Sequence, residues 1–282
     1  MTQDTVLRAM TNDGAFRVVV AQTTRTVGGV LEAQRVTGRT ARIFGDLLTG
    51  AVLARETMAP HLRLQSILKG AHGSGSLVAD AHPSGSTRGL SQRKTENDLD
   101  LGPGALLQLM RSMPSGRTTQ GVVEVPTGGG VSEALMTYMQ VSEQVVSMIA
   151  VGTLLQDGAM QSAGGYIVQL LPEVDRGPLM IMTERLEDFK NIDSHLLDQS
   201  FSPDWLLEQL LYGMEFTRLE ESAVSFTCWC DELRLVSAIA TLGRSEIEDL
   251  ISDGEVLEIT CDYCLKEYRI PPARLRGLLE AS

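Results

Sequence analysis

The chain has 282 residues, of which 43% are hydrophobic and 21% are charged. This composition provides enough apolar side chains for a sizeable core and excludes low-complexity disorder. Residues 1–172 carry a net charge of +1 and residues 173–282 carry −13, which together give the net charge of −12. The shift in charge predicts separate modules, and because so acidic a segment repels phosphates we expect no nucleic-acid partner.

No segment has the pattern of a membrane span or a secretion signal. The most apolar stretch, Val145 to Leu155, has about half of the roughly 20 residues that a bilayer core requires. The N-terminal segment from Met1 to Gly14 lacks the apolar region of a signal peptide. We therefore expect no membrane partner and a cytoplasmic protein, in which four cysteines would not form a stable disulfide framework.

Residues 1–172 show helical and strand patterns in turn, which predicts an N-terminal α+β core domain. Helical spacing extends from about Arg25 to Ala59, and Pro60 ends it. The predicted strands are Leu62–Leu68, Ser76–Ala81, Val122–Val125, Val145–Val151 and Tyr166–Leu171, the last two as a pair with Gly164 and Gly165 at the turn. The Gly-rich segment from Gly70 to Gly75 is not followed by a Lys-Ser/Thr pair, so it predicts a hairpin turn rather than a phosphate-binding loop.

Residues 173–226 are predicted to form a helical linker that begins with a loop from Asp175 to Pro178. Apolar residues recur at helical spacing from Leu186 to Leu196. A second helix starts at the N-cap Ser202, with Pro203 at its first position, and ends at Gly213. In a solvated spacer its apolar side chains would be exposed to water, which is unfavourable. We therefore expect this segment to pack against another part of the protein.

Residues 227–282 form the predicted C-terminal module. The pattern predicts a strand at Val224–Cys228, a helix from Leu233 to Leu242, a helix that starts with a capping box at Ser245–Glu248, and strands at Glu255–Thr260 and Glu267–Ile270. This unit is much shorter than an ordinary domain and has few large apolar side chains. It therefore needs a covalent or metal cross-link to be stable.

All four cysteines lie in this module as two close pairs, Cys228 with Cys230 and Cys261 with Cys264, which the segment from Asp231 to Thr260 separates. Four thiolates in two pairs fit the tetrahedral shell of one zinc ion. Four unrelated buried thiols and a purely structural zinc ribbon are the alternatives.

The single residue between Cys228 and Cys230 is shorter than the usual spacer of structural zinc modules, and a disulfide there would be strained and easily reduced. Because zinc holds the sulfurs as thiolates, an oxidant can convert adjacent pairs to disulfides, which would release the metal and unfold the module.

The cysteine order at the C-terminus of a chain of this length resembles that of the bacterial heat-shock protein 33 family of redox-regulated holdase chaperones. The similarity includes Phe16-Arg17, Tyr138 with Ser142-Glu143-Gln144, Ala163–Pro172, Ile247–Gly254 and Cys261-Asp-Tyr-Cys264. Two positions depart from the family pattern, namely Asp231 where serine is common and Leu265 where glycine is usual.

The resemblance implies that Cys228, Cys230, Cys261 and Cys264 bind one zinc ion in a reduced, inactive protein. It also implies disulfides Cys228–Cys230 and Cys261–Cys264 in an oxidised, active one. The linker is then metastable and unfolds with the zinc module, so that it captures unfolding client proteins without ATP and without catalysis, and the oxidised protein is expected to form a homodimer. From the residues alone, the favoured interpretation of the apolar residues in the linker is that they are permanently buried core.

Two other functions compete with this interpretation. A thiol oxidoreductase needs one attacking cysteine of low pKa, usually at a helix N-terminus, and neither pair clearly has that placement. A static zinc-ribbon adaptor would bind one fixed partner in the same way before and after oxidation. The histidines His61, His72, His82 and His195 are scattered outside the module, so we expect ordinary surface or turn roles for them.

Overall fold

The computed structural model describes residues 3–93, 98–172, 174–198 and 200–280. The chain divides into two compact units, Met1–Thr227 and Cys228–Ser282. The predicted linker therefore belongs to the first unit as a structural body.

The first unit is a mixed α+β domain, as predicted. Its strands are β1 (Thr5–Thr11), β2 (Phe16–Gln22), β3 (Arg63–Lys69), β4 (Gly75–Ala81), β5 (Ser86–Arg93), β6 (Leu106–Ser112), β7 (Thr118–Glu124), β8 (Ser147–Gln156), β9 (Ala159–Leu170), β10 (Phe216–Ala223) and β11 (Ser225–Phe226). Its helices are α1 (Thr24–Gln34), α2 (Gly38–Glu56), α3 (Val131–Ser142), α4 (Arg176–Phe189), α5 (Ile192–Leu196) and α6 (Pro203–Leu210).

Two sheets organise these elements. The first has the strand order β10-β1-β2-β9-β8, and the second has the order β11-β5-β4-β3-β6-β7. The pairs are antiparallel except that β11 runs parallel to β5. The Gly-rich segment after β3 contains a short 3-10 turn, Ala71–Gly73, and joins β3 to β4 as the predicted hairpin.

Helix α2 lies in the main core. Phe44 and Leu47 of α2 are fully buried in one apolar cluster with Val19 of the first sheet and with Leu64 and Leu77 of the second. Burial extends around most of the helix, which explains why its sequence is apolar on more than one face.

The predicted linker covers the other face of the first sheet. Phe16 and Tyr166 on that face share a second apolar cluster with Leu186 of α4, Leu196 of α5 and Leu206 of α6. The packing prediction for this segment is thus confirmed in the state that the structure describes.

Glycine allows α5 to approach the sheet closely. A Cβ atom on Gly152 of β8 would lie 2.4 Å from Oδ1 of Asp193 and 2.8 Å from a side-chain carbon of Ile192. Nη2 of Arg42 on α2 binds Oδ2 of Asp193 at 2.8 Å. Besides its apolar packing, α5 is therefore held by an exposed ion pair and by a close contact with β8 that any larger residue at position 152 would disturb.

Several predicted boundaries were wrong. The helical run from Arg25 to Ala59 is two helices, because Arg35 adopts φ of +50° and Gly38 adopts +68°. Gly164 and Gly165 lie inside β9 rather than at a turn, since a Cβ on Gly164 would meet the Ala21 carbonyl at 2.6 Å. The turn lies instead at residues 157–158.

Helix starts also differ from the predictions at two places. The stretch from Asp175 to Pro178 is not a loop, because α4 already begins at Arg176 and proline is tolerated in a first turn. In the second unit the N-cap is Gly243, not Ser245, and its N–H donates to Oε2 of Glu246 at 2.8 Å. The N-cap at Ser202 is confirmed, because its Oγ accepts from the Trp205 N–H at 3.2 Å.

The second unit has three helices and one hairpin among its described residues. These are α7 (Glu232–Ile239), α8 (Arg244–Ser252), α9 (Pro272–Glu280), β12 (Leu257–Thr260) and β13 (Glu267–Ile270), with the strands paired antiparallel. Its buried apolar cluster contains only Ile239, Ile247, Ile270 and Leu275 as buried members among those residues. A core this small supports the expectation that the unit needs a cross-link.

Candidate metal centre

The four cysteines come from two loops of the second unit. Cys228 and Cys230 precede α7, whereas Cys261 and Cys264 lie in the turn that joins β12 to β13. Hairpin pairing ends at Thr260 opposite Glu267, so the second pair lies just beyond the last strand residues. The hairpin thus presents two sulfurs at one end.

The sulfur atoms converge into one cluster, and none of them is in a disulfide. All four Sγ atoms lie within 4.8 Å of one another. The Cys228–Cys261 Sγ distance is 3.8 Å and the Cys230–Cys264 distance is 3.4 Å, so each contact joins one member of each pair. In a tetrahedral zinc–thiolate shell with bonds of about 2.3 Å the sulfurs are about 3.8 Å apart. The donor set and spacing therefore fit one zinc ion.

The turn around the second pair is closed by backbone hydrogen bonds. The Leu265 N–H donates to the Cys261 carbonyl at 2.8 Å, and the Cys261 N–H donates to the Lys266 carbonyl at 2.9 Å. Leu265 has φ of +56°, the left-handed region that favours glycine. The leucine therefore occupies a conformation in which its own side chain is unfavourable.

The other departure from the family pattern has a direct structural role. Oδ1 of Asp231 accepts the Arg234 N–H at 2.7 Å and caps α7. Aspartate and serine are comparably good N-caps, so the turn after Cys230 keeps its function with aspartate.

Tyr268 of β13 also belongs to the cluster. Its hydroxyl donates to the carbonyl oxygen of Cys230 at 3.0 Å and to Sγ of Cys230 at 3.2 Å. The alternation of β13 places Tyr268 on the buried face, but the sequence gives no signal that its hydroxyl reaches a cysteine in the other loop. Nζ of Lys266 lies 4.9 Å from the centre of the Tyr268 ring.

The surroundings shift the pKa values of Cys230 and Cys264 in opposite directions. Burial raises the pKa of Cys230, but hydrogen bonds from Tyr268 and the other cysteines outweigh it and bring the pKa to about 7. Burial raises the pKa of Cys264 strongly. Zinc bound at this cluster would favour the thiolate form of all four sulfurs.

The histidines lie outside this centre. Among the described residues the four cysteines are the one group of His, Cys, Asp and Glu side chains close enough to hold a metal ion. His195 instead stacks on Phe189 with ring centres 4.4 Å apart, in the first unit. Within the described part of the chain, no helix is both long enough and apolar enough to span a bilayer.

Comparisons with known proteins agree with this architecture. The 33 kDa chaperonin of Syntrophotalea carbinolica is 27% identical over 288 residues and covers 98% of this chain and 99% of its own. That of a Thermoanaerobacter species is 27% identical over 290 residues and covers 98% of each chain. The crystal structure of a 33 kDa chaperonin from Thermotoga maritima has a TM-score of 0.84 at 21% identity and covers 99% of both chains, which shows a shared fold.

The Hsp33 protein family model matches residues 4–271. This match spans nearly all of the chain and includes the four clustered cysteines. The protein therefore belongs to the Hsp33 family of redox-regulated chaperones.

Proposed function

We propose that this protein is an ATP-independent holdase whose inactive form is reduced and zinc-bound and whose active form contains disulfides. The observation that carries the proposal is the convergence of four cysteine sulfurs within 4.8 Å in a unit with a very small core. Oxidation of these sulfurs would therefore lower the stability of the whole unit.

In the reduced state Cys228, Cys230, Cys261 and Cys264 would hold one zinc ion. When bound, zinc would keep the sulfurs as thiolates and tie the loop before α7 to the end of the hairpin. Structural zinc in small peptides contributes roughly 10–16 kcal/mol of binding free energy. A single core in a unit of this size rarely supplies more than about 3–5 kcal/mol, so folding of the unit would depend on the zinc.

In the oxidised state we propose disulfides Cys228–Cys230 and Cys261–Cys264. Each pair of thiols would lose two electrons and two protons to one peroxide molecule, which is reduced to two water molecules. The pairs are adjacent in sequence and therefore remain close after the unit unfolds. The contacts across the pairs, at 3.4 and 3.8 Å, depend on the folded hairpin. The resemblance to the family supports the same pairing.

The chain would work as three parts, with residues 1–172 as core domain, 173–226 as metastable linker and 227–282 as redox switch. In the linker, many apolar residues are buried, but others are exposed. Met180, Leu197 and Tyr212 are each more than 70% exposed. Together with the net charge of −13 over residues 173–282, this surface would hold apolar segments of a client while keeping the complex soluble.

The proposed partners are unfolding or aggregation-prone proteins of the cytoplasm. The acidic charge of the switch and linker argues against nucleic acid as a partner. A homodimer of the oxidised protein also belongs to this proposal, since released apolar surface favours self-association.

Light scattering from a heated client protein tests the proposal. We expect the reduced, zinc-loaded protein to leave aggregation unchanged and the peroxide-treated protein to suppress it near one chain per client chain. A variant with all four cysteines replaced by serine should show no dependence on peroxide. Equal binding before and after oxidation would favour the static adaptor, and turnover of a dithiol substrate would favour the oxidoreductase.

A further inference from the structure

Tyr268 connects the two halves of the cysteine cluster. It lies shortly after Cys264 on β13, yet its hydroxyl contacts Cys230 in the other loop, at 3.2 Å from Sγ. Its side chain is buried, with 8% exposed. The single hydroxyl hydrogen is shared between Sγ and the Cys230 carbonyl, so the tyrosine fixes both the sulfur and the backbone of this cysteine.

We propose that Tyr268 is a positioning residue that holds Cys230 in its metal-binding geometry and slows the oxidation of that cysteine. This inference rests on the proposed zinc and redox function. Groups that orient metal ligands typically change metal affinity by about 10- to 100-fold. With zinc bound, Cys230 would be a thiolate with or without the tyrosine, so the main effect of the phenol is to withdraw electron density from this sulfur and make it a weaker nucleophile towards an oxidant.

The step affected is the attack of a thiolate on hydrogen peroxide. The sulfur forms a bond to one peroxide oxygen, the O–O bond breaks, and hydroxide leaves. A second thiolate then displaces hydroxide from the sulfenic acid and forms the disulfide, so two sulfurs lose two electrons and both oxygens leave as water after protonation. Tyr268 acts on the first event, because its hydrogen bond engages a sulfur lone pair of Cys230.

Lys266 provides a matched control. Its Nζ lies 4.9 Å from the centre of the Tyr268 ring, and its backbone N–H is hydrogen-bonded to Cys264. Lys266→Met removes the cation and keeps the backbone donor and the tyrosine hydroxyl. Tyr268→Phe removes the hydroxyl alone and keeps the ring. Comparison of the two variants separates the hydroxyl–sulfur bond from the ring–cation contact.

The test uses the full chain in its reduced state, loaded with Co²⁺ for spectroscopy and with Zn²⁺ for affinity. In Tyr268→Phe we expect the sulfur-to-cobalt charge-transfer bands at longer wavelength, zinc affinity about tenfold weaker in chelator competition, and peroxide-driven zinc release several-fold faster. Lys266→Met should keep the bands of the unsubstituted protein. Tyr212→Phe, an exposed tyrosine of the first unit, should change none of the three measurements.

Identical bands, affinity and release rate in Tyr268→Phe and the unsubstituted protein would overturn the inference. If that variant does not bind cobalt tetrahedrally, replacing Tyr268 by 3-fluorotyrosine gives a stronger donor in an unchanged fold. The bands should then move to shorter wavelength, and bands that do not move overturn the inference. Failure of peroxide to release zinc from the unsubstituted protein would refute the redox function instead, while the cobalt spectra would still test Tyr268.

Discussion

The backbone N–H of Leu265 donates a 2.8 Å hydrogen bond to the carbonyl oxygen of Cys261, and Leu265 makes this bond with φ of +56°. A left-handed residue other than glycine costs roughly 1–2 kcal/mol. The cost arises only in the folded turn, because the unfolded chain is not held in this conformation. The strain therefore opposes the arrangement of sulfurs that fits zinc.

Leu265→Gly should strengthen zinc binding. Relief of the strain is offset in part by about 0.5–1 kcal/mol for the greater freedom of glycine in the unfolded chain. The net gain of about 0.8 kcal/mol corresponds to about fourfold tighter binding in a chelator competition titration, with slower release in peroxide. Leu265→Ala keeps the strain and serves as control. Unchanged affinity in the glycine variant would show that position 265 is unstrained.

Removal of zinc should unfold the second unit and leave the first folded. The reduced protein is expected to contain one zinc per chain, as measured by metal analysis. After treatment with a chelator, hydrogen exchange should show lost protection in α7, α8 and the β12–β13 hairpin, because so few buried apolar residues cannot hold this unit alone. Protection in β2 and β9 should persist. Uniform loss of protection along the chain would contradict the division into units.

Gly152→Ala should loosen α5 without any oxidant. The added Cβ would lie 2.4 Å from Asp193 Oδ1, so helix or sheet must shift at a cost of about 1–3 kcal/mol. We expect faster proteolysis between α4 and α6 and client binding by the reduced protein. Gly177→Ala in α4 is the matched control, because its Cβ meets nothing within 4 Å. If the two variants are cut at the same rate, the close approach at Gly152 does not hold α5.

Asp46→Asn should remove part of the pH dependence of the first unit. Burial raises the pKa of Asp46, Thr153 lowers it in part, and the Asp193 carboxylate raises it, so that the resulting pKa is about 8. The folded state therefore holds a proton that the unfolded state loses near its ordinary pKa of about 3.9, so stability falls as pH rises from about 4 to 8.

Urea unfolding at pH 5 and pH 8 measures this effect. The unsubstituted protein should lose up to about 4 kcal/mol over this interval through Asp46, and the asparagine variant should lose less. Replacement of the exposed Asp157 by asparagine is the control for a general change in charge. An unaltered slope in Asp46→Asn would show that the carboxyl ionises as readily in the folded protein as in the unfolded one.

Local signals were sufficient for the elements that depend on neighbouring residues. The Ser202 cap and strand β13 follow from residues a few positions apart, and the spacing of the four cysteines pointed to one cluster. The contact between Tyr268 and Cys230 could not be predicted, because it depends on how two loops that are distant in sequence are brought together.

Long-range pairing was also beyond local patterns. Strand β10 pairs with β1 from the opposite end of the first unit's sequence, with Thr5 opposite Ala223, and its own sequence is too polar and acidic to indicate a strand. Gly164 was misplaced at a turn because glycine also marks places where two backbones approach closely. Both errors have one cause, because the segment that pairs with β10 and the one that approaches Gly164 lie far away in sequence.

Strand β10 is the outermost strand beside β1, and all but two of its residues are exposed. Arg8 of β1 binds Glu220 at 3.2 Å and Ser222 at 2.8 Å, but backbone hydrogen bonds form the rest of the ladder. If β10 unfolded with the linker, the amides and carbonyls of β1 that point towards it would lose their partners, and an interior strand would become an edge. The released protein would then offer two binding surfaces. Its apolar face would bind apolar side chains of any sequence, and its unpaired strand edge would bind only a chain in an extended conformation.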